Sequence, residues 1–280
     1  MDYFKGRTLF LISKHRKEDA VFTVFNKYGN ISCKVFNQAD TDELGTFTGE
    51  IPRHKDPVST VRLKSKKWIS PEMEDQLLIA TEGSFGPHPH LFFIPAHQEL
   101  IHFADLKNGW ELTESILSTE TNFSKLKVKS QKELLDFAKS AQFPSHALII
   151  RTGNPEEPFI KGISNEESLI AAFNEALKYS REVEVETDMR AMNNPSRMRV
   201  IEKLTEKLFS RLLQQCSQCQ TPGFGFLEPV FGLICELCGD KTLEIEYEVH
   251  GCVKCNYREI IIPEGRMPYA NPANCPNCNP

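Results

Sequence analysis

Eight of the nine cysteines form four Cys-x-x-Cys pairs: Cys216/Cys219, Cys235/Cys238, Cys252/Cys255 and Cys275/Cys278, all within the last 65 residues. A Cys-x-x-Cys turn sets two thiolates one zinc-ligand separation apart, and two such turns complete a tetrahedral four-cysteine site. Four turns therefore supply ligands for two structural zinc ions and leave only Cys33 apart. A disulfide framework is disfavoured, because the start of the chain (Asp2 and Lys5 ahead of a short strand) does not read as a signal peptide. Iron–sulfur spacings are tighter or asymmetric.

The spacing leaves the pairing open. Sequential pairing leaves 15 residues between the inner ligands of the first site and 19 in the second, and both gaps fit a zinc ribbon. Nested pairing joins Cys235/Cys238 to Cys252/Cys255 across 13 residues. Leu243–Val249 alternates apolar and acidic residues like a solvent-facing strand and runs into Cys252, which favours a hairpin between the two middle knuckles. Cys216-Ser-Gln-Cys219 with its following Gly resembles knuckles of the DnaJ cysteine-rich domain, where the pairing is nested. The expectation leans to nested.

From Arg211 to Pro280 there are five Lys or Arg against eight Asp or Glu, before thiolates are counted. Nucleic-acid binding runs on cations that neutralise phosphates, so this tail argues against it. A net charge of −5 over 280 residues, with 40 % hydrophobic and 25 % charged residues, suits a globular protein with a small-molecule or protein partner. No apolar run reaches membrane-span length, and thiols in metal spacing predict the reducing cytoplasm.

The elements that must position any further chemistry alternate. Thr8–Ile12 reads as a buried strand, followed by a helix through Val21, Val24 and Phe25. Gln76–Ala80 reads as a second strand closed by the polar stretch Thr81–Pro87. Leu91–Pro95 and Leu100–Ala104 read as two strands with a turn between them. Ser130 with Glu133 and Ser164 with Glu167 form capping boxes for two helices, separated by a strand at Ala147–Ile150. After a strand at Val183–Glu186, Asn194 caps a last helix with Pro195 at its first position. The pattern predicts an α/β class with a mixed or mostly parallel sheet flanked by helices, then a small two-zinc, ribbon-like module. The divisions expected are 1–193 for the α/β domain, 194–215 for a connecting helix and 216–280 for the zinc module.

Polar clusters gather at strand ends, where open α/β folds bind ligands. Ser13, His15 and Lys17 open a helix as an anion site requires. Gly45, Thr46, Thr48, Gly49 and Arg53 offer amides, hydroxyls and a cationic fork to a phosphate, with Glu50 beside them. Glu82 ends a strand before Gly83 and is the expected Mg²⁺ ligand; His88 and His90 follow. Glu184, Glu186 and Asp188 share one strand face ahead of Arg190, Asn193, Arg197 and Arg199, which reads as an ion-pair network on a sheet edge or as a site binding metal and phosphate together, with Arg190 on the substrate.

The strings Gly45–Glu50, Thr81–Pro89, Leu117–Phe123 and Glu186–Met192 with Asn194-Pro195 resemble those of an uncharacterised bacterial domain-of-unknown-function family, zinc tail included. The strand running into Ser13-Lys14-His15-Arg16-Lys17, and the strand ending in Glu82-Gly83, are similar to the start of the inosine triphosphate pyrophosphatase superfamily over about the first 110 residues. His15 stands where that superfamily has Asn, and the lysine comes one residue early. This second resemblance implies hydrolysis of non-standard nucleoside triphosphates. Joined to the strand-end clusters, the reading is hydrolysis of a nucleotide or other phosphorylated small molecule, with Lys17, Glu50 and Glu82 catalytic, Mg²⁺ as cofactor, and Ser13, His15, Gly45, Thr46, Thr48, Gly49, Arg53 and Arg190 around the substrate. The alternative is a non-enzymatic adaptor or regulatory protein that docks a protein through its acidic zinc module.

Overall fold

The protein is described from a computed structural model, which covers the chain except residues 1, 30, 38, 40, 45–54, 70 and 155. The chain divides into two compact units. One comprises Asp2–Asn108 and Thr113–Leu208, the other Gly109–Leu112 and Phe209–Pro280.

The larger unit contains two sheets, except for Trp110–Leu112 at the start of β5. The first has the order β2-β1-β3-β4-β5, built from β1 (Thr8–Ile12), β2 (Ser32–Val35), β3 (Leu77–Pro87), β4 (Pro95–Asp105) and β5 (Trp110–Ser118). β1 runs parallel to β2 and to β3, while β3 and β4 are antiparallel, so the sheet is mixed. Helix α1 (Glu18–Tyr28) joins β1 to β2, and α2 (Pro57–Lys67) lies between β2 and β3. Asp56 caps α2 through the Ser59 amide, with Pro57 in the first turn. The second sheet has the order β6-β9-β7-β8, from β6 (Lys125–Val128), β7 (Leu148–Arg151), β8 (Phe159–Ile163) and β9 (Val183–Thr187). All its pairings are antiparallel. Helices α3 (Gln131–Ser140) and α4 (Glu166–Ala176) bury Leu134, Phe137, Leu169 and Phe173 with Leu148, Ile150 and Val185 of that sheet. The cap of α4 is Asn165, one residue later than the expected Ser164, and its side chain takes the Ser168 amide at 2.8 Å. Helix α5 (Pro195–Leu212) follows, with Asn194 accepting from the Arg197 amide at 2.9 Å.

Two strand expectations change. β3 does not stop at Ala80: it pairs with β4 residue by residue from Leu77↔Asp105 to Pro87↔Pro95. Leu91–Ile94 is the connection of this hairpin, and the polar triplet His97-Gln98-Glu99, read as a turn, lies inside β4. Polar residues inside a strand mimic a turn signal when their partners come from distant sequence.

The smaller unit holds a three-stranded antiparallel meander, β10 (Gly225–Phe231), β11 (Ile245–Gly251) and β12 (Arg258–Ile261).

Candidate metal centres and a buried charged cluster

Two groups of four cysteines converge: Cys216, Cys219, Cys252 and Cys255, and Cys235, Cys238, Cys275 and Cys278, with all sulfurs of a group within 4.8 Å of one another. Cross-pair Sγ distances are 3.7 Å (Cys216–Cys255), 3.5 Å (Cys219–Cys252), 3.9 Å (Cys235–Cys278) and 3.6 Å (Cys238–Cys275). Four ligands at about 2.3 Å from one ion stand about 3.8 Å apart along a tetrahedral edge, so the donor sets fit a metal. They are far from the ~2.05 Å of a disulfide. Backbone amides of Lys254 and Cys255 each donate to the Cys252 sulfur at 3.3 Å, as a thiolate ligand requires.

The pairing is interleaved, first knuckle with third and second with fourth, which corrects the nested expectation. The meander decides it. Antiparallel β10 and β11 pair Gly225 with Gly251, so the knuckle before β10 meets the knuckle after β11. The second knuckle lies at the opposite end of that hairpin. β12 then runs back along β11, Gly251↔Arg258 to Glu248↔Ile261, and returns the chain toward the second knuckle, where Cys235 forms a β-bridge with Ala270.

The larger unit carries a second candidate site, made of buried charges. Lys17, Glu82, His97, Glu99 and Arg197 are all buried. Lys17 is the residue from which α1 starts, and its Nζ donates to Thr81 Oγ1 at 2.8 Å. Thr81, Gly83 and Phe85 share one face of β3; across the register, Ile101, Glu99 and His97 share the same face of β4. Arg197, on the first turn of α5, reaches that face: its Nε donates to Glu99 Oε1 at 2.6 Å, its guanidinium stacks 5.1 Å from the Phe85 ring, and NH1 donates to the Met189 carbonyl. The His97 and Phe85 rings are 5.0 Å apart.

The electrostatics follow from burial first and from the crowding of cations second. Burial is the main force that lowers Lys17 to about 7, with Arg197 and Lys64 pushing the same way and Glu99 and Glu82 opposing. Burial also lowers His97, helped by Arg197 and Lys17 against Glu99, so its imidazole is neutral at pH 7. Burial acts to raise Glu99, but Arg197 and Lys17 outweigh it and hold the carboxyl below its ordinary value.

Of the residues expected at a site, Gly45, Thr46, Thr48, Gly49, Glu50 and Arg53 lie outside the described residues. Glu82 is next to Thr81 in β3 and faces the other way, as strand alternation demands. There it is bonded to Lys64 of α2, on the face where Val61 packs on Ala80 and Leu100. Lys17 and Glu82 therefore sit within electrostatic reach but are anchored through opposite faces of β3. Among the described residues Glu82 belongs to no group of three or more possible metal ligands. Ser13 Oγ donates to the Lys14 carbonyl at 2.9 Å, and His15 and Arg16 follow at φ 70° and 57°, left-handed values unusual for side-chain-bearing residues. Arg190 is engaged by Asp188, with Nε at 3.0 Å and NH2 at 2.5 Å, and Asp188 also takes the Gly162 amide and Asn193. Arg151 bridges Glu184 and Glu186 at 3.0 and 2.9 Å, the ion-pair network of the plainer reading. Lys64, Thr81, His97 and Glu99 escaped the sequence reading. The available signal was His97-x-Glu99 at period two, continuous with the apolar run from Leu100.

A mixed α/β unit with a buried charged cluster, followed by a unit with two four-cysteine groups, defines a protein able to hold two metal ions. The chain belongs to the family described as Domain of unknown function (DUF6671), whose model matches residues 67–280. No curated protein and no solved structure matches the chain. His97, Glu99, Arg197 and all eight ligand cysteines fall in the matched span, and Lys17 and Lys64 precede it. Among the described residues, no helix is long and apolar enough to cross a membrane.

Proposed function

We propose that the larger unit hydrolyses a phosphorylated small molecule of the nucleotide class, and that the two four-cysteine groups hold structural zinc. One observation carries the reading: Lys17, Lys64 and the Arg197 guanidinium are buried with two carboxylates, Glu99 and Glu82. Three cations against two anions favour a further anion, and a phosphate supplies it with acceptor oxygens for the Lys17 and Arg197 heads. Phosphate beside Lys17 restores the charge that burial removes, so binding takes up a proton at about pH 7.5. In the hydrolysis step these cations hold the charge that develops on the phosphoryl oxygens. The similarity of the β1-to-Lys17 start to the inosine triphosphate pyrophosphatase superfamily points the same way. The substrate enters as its Mg²⁺ complex, which accounts for the metal without assigning it to Glu82 alone.

The test is release of phosphate or pyrophosphate from standard and deaminated nucleoside triphosphates with Mg²⁺. Wild-type turnover should fall about 10²-fold or more in Lys17→Ala, with weaker binding as well. No release from any nucleotide, with no shift of the melting curve, would overturn the reading.

A second reading, docking of a protein by the smaller unit, is favoured by Leu237, Leu243 and Met267, which are 75 %, 77 % and 67 % exposed in a segment, Arg211–Pro280, with eight acidic against five basic residues. Its partner would be basic and apolar. Pull-down with wild type but not with Leu237→Ser/Leu243→Ser, with both metal ions retained, is its signature.

A further inference from the structure

We propose that His97 is the proton acceptor of this site, touching the bound phosphorylated ligand with Glu99 Oε2 beside it; the contact rests on geometry, and the proton transfer rests on the hydrolase reading.

β4 places His97 and Glu99 two residues apart on one face, opposite Phe85 and Gly83. They are 1 % and 0 % exposed. Among the described residues neither ring nitrogen of His97 has a hydrogen-bond partner, and neither has Glu99 Oε2. The 3.6 Å between His97 Nε2 and Glu99 Oε1 is too long for a hydrogen bond. An orphaned buried polar atom is costly, so three on two neighbouring side chains of one strand face are a standing demand for a partner. Around them, Glu99 Oε1 accepts from Arg197 Nε, and Lys17 Nζ donates to Thr81 Oγ1. His97 and Glu99 Oε2 thus keep acceptor capacity on the face of β4 that Arg197 and Lys17 approach.

The charged groups facing the imidazole are Glu99, Arg197 and Lys17. Burial and the two cations keep it neutral, so at pH 7 it is a base. In the step, the oxygen of water bonds to phosphorus while its proton passes to a ring nitrogen of His97. The bond from phosphorus to the leaving oxygen breaks, and that oxygen departs with the electron pair, its charge met by Lys17. Glu99, fixed by Arg197, then stabilises the imidazolium and acts as a positioning residue.

Two measurements on the full chain separate this inference from the hydrolase reading. The first titrates sodium pyrophosphate into ¹⁵N-histidine-labelled protein, with the His97 ring signals identified by their loss in His97→Gln. A saturable shift of those signals is expected; no shift overturns the contact. The second applies where the wild type hydrolyses a nucleotide. His97→Gln should then lose about 10²–10⁴-fold in kcat together with the acid limb of its pH profile, and Glu99→Gln should move that limb. A His97→Gln enzyme within threefold of wild type, with its acid limb intact, overturns the proton role and leaves the hydrolase reading standing. A saturable pyrophosphate shift without any turnover keeps the contact and sinks the hydrolase reading instead.

Discussion

Gly83 of β3 and Glu99 of β4 are register partners on one sheet face, and the missing side chain of the first is the space that the second occupies. A Cβ on Gly83 would collide with Glu99 Oε1 and with Arg197 NH2. The glycine is there for close approach, and its φ is not in the left-handed region. Glu82-Gly83, which looks like a metal-strand signature, thus seats a carboxylate–guanidinium pair.

Gly83→Ala should therefore push the Glu99–Arg197 pair apart inside a packed interior. A loss of about 1–3 kcal/mol is expected, as for overpacking of a core. Urea denaturation measures it, and an unchanged midpoint would mean that the pair can shift freely.

The buried pair itself should behave asymmetrically. Glu99→Leu alone leaves the buried Arg197 guanidinium unanswered and should cost about 3–5 kcal/mol, and Arg197→Met, which leaves Glu99 facing Lys17, should cost less. The double variant should cost clearly less than the sum of the two. Additive losses in a double-mutant cycle would contradict direct coupling.

Lys17 gives a pH dependence with a defined sign. It loses its proton at about 7 in the folded chain, against 10.5 for an ordinary lysine. Between those values the unfolded chain binds the extra proton, so stability rises with pH. The burial penalty is complete below about 7 and vanishes above 10.5. Lys17→Met removes the penalty. Its stability advantage over wild type should shrink from pH 7 to pH 10 by up to about 1.4 kcal/mol per pH unit. Urea midpoints at pH 7, 8 and 9 check this, and a constant difference would contradict it.

The interleaved cysteine groups predict a specific alkylation pattern. Cys252→Ser should expose Cys216, Cys219 and Cys255 to alkylation while Cys235, Cys238, Cys275 and Cys278 stay protected. A nested arrangement would instead expose Cys235, Cys238 and Cys255. Elemental analysis of the wild type should give two zinc per chain, and chelation should unfold the segment after about Gln215, since knuckle stability is metal-binding free energy.

The sequence by itself determined what depends on near neighbours. Cys-x-x-Cys fixes two ligands within one turn, so all eight ligands were legible without a fold. Thr8–Ile12 is a strand as its apolar run requires, and Asn194 before Pro195 starts α5 because capping is a matter of three residues. Ser130 likewise accepts from the Glu133 amide. What needed long-range pairing was decided only by the tertiary structure. Which knuckles share a metal depends on the direction of β10, β11 and β12, and spacing alone permits three answers. Thr81–Pro87 and His97–Glu99 look like loops until each strand supplies the other's hydrogen bonds. The charged cluster is the extreme case: Lys17, Glu99 and Arg197 meet from three distant stretches of chain, and a buried charge is tolerable only when its counter-charge is already in place.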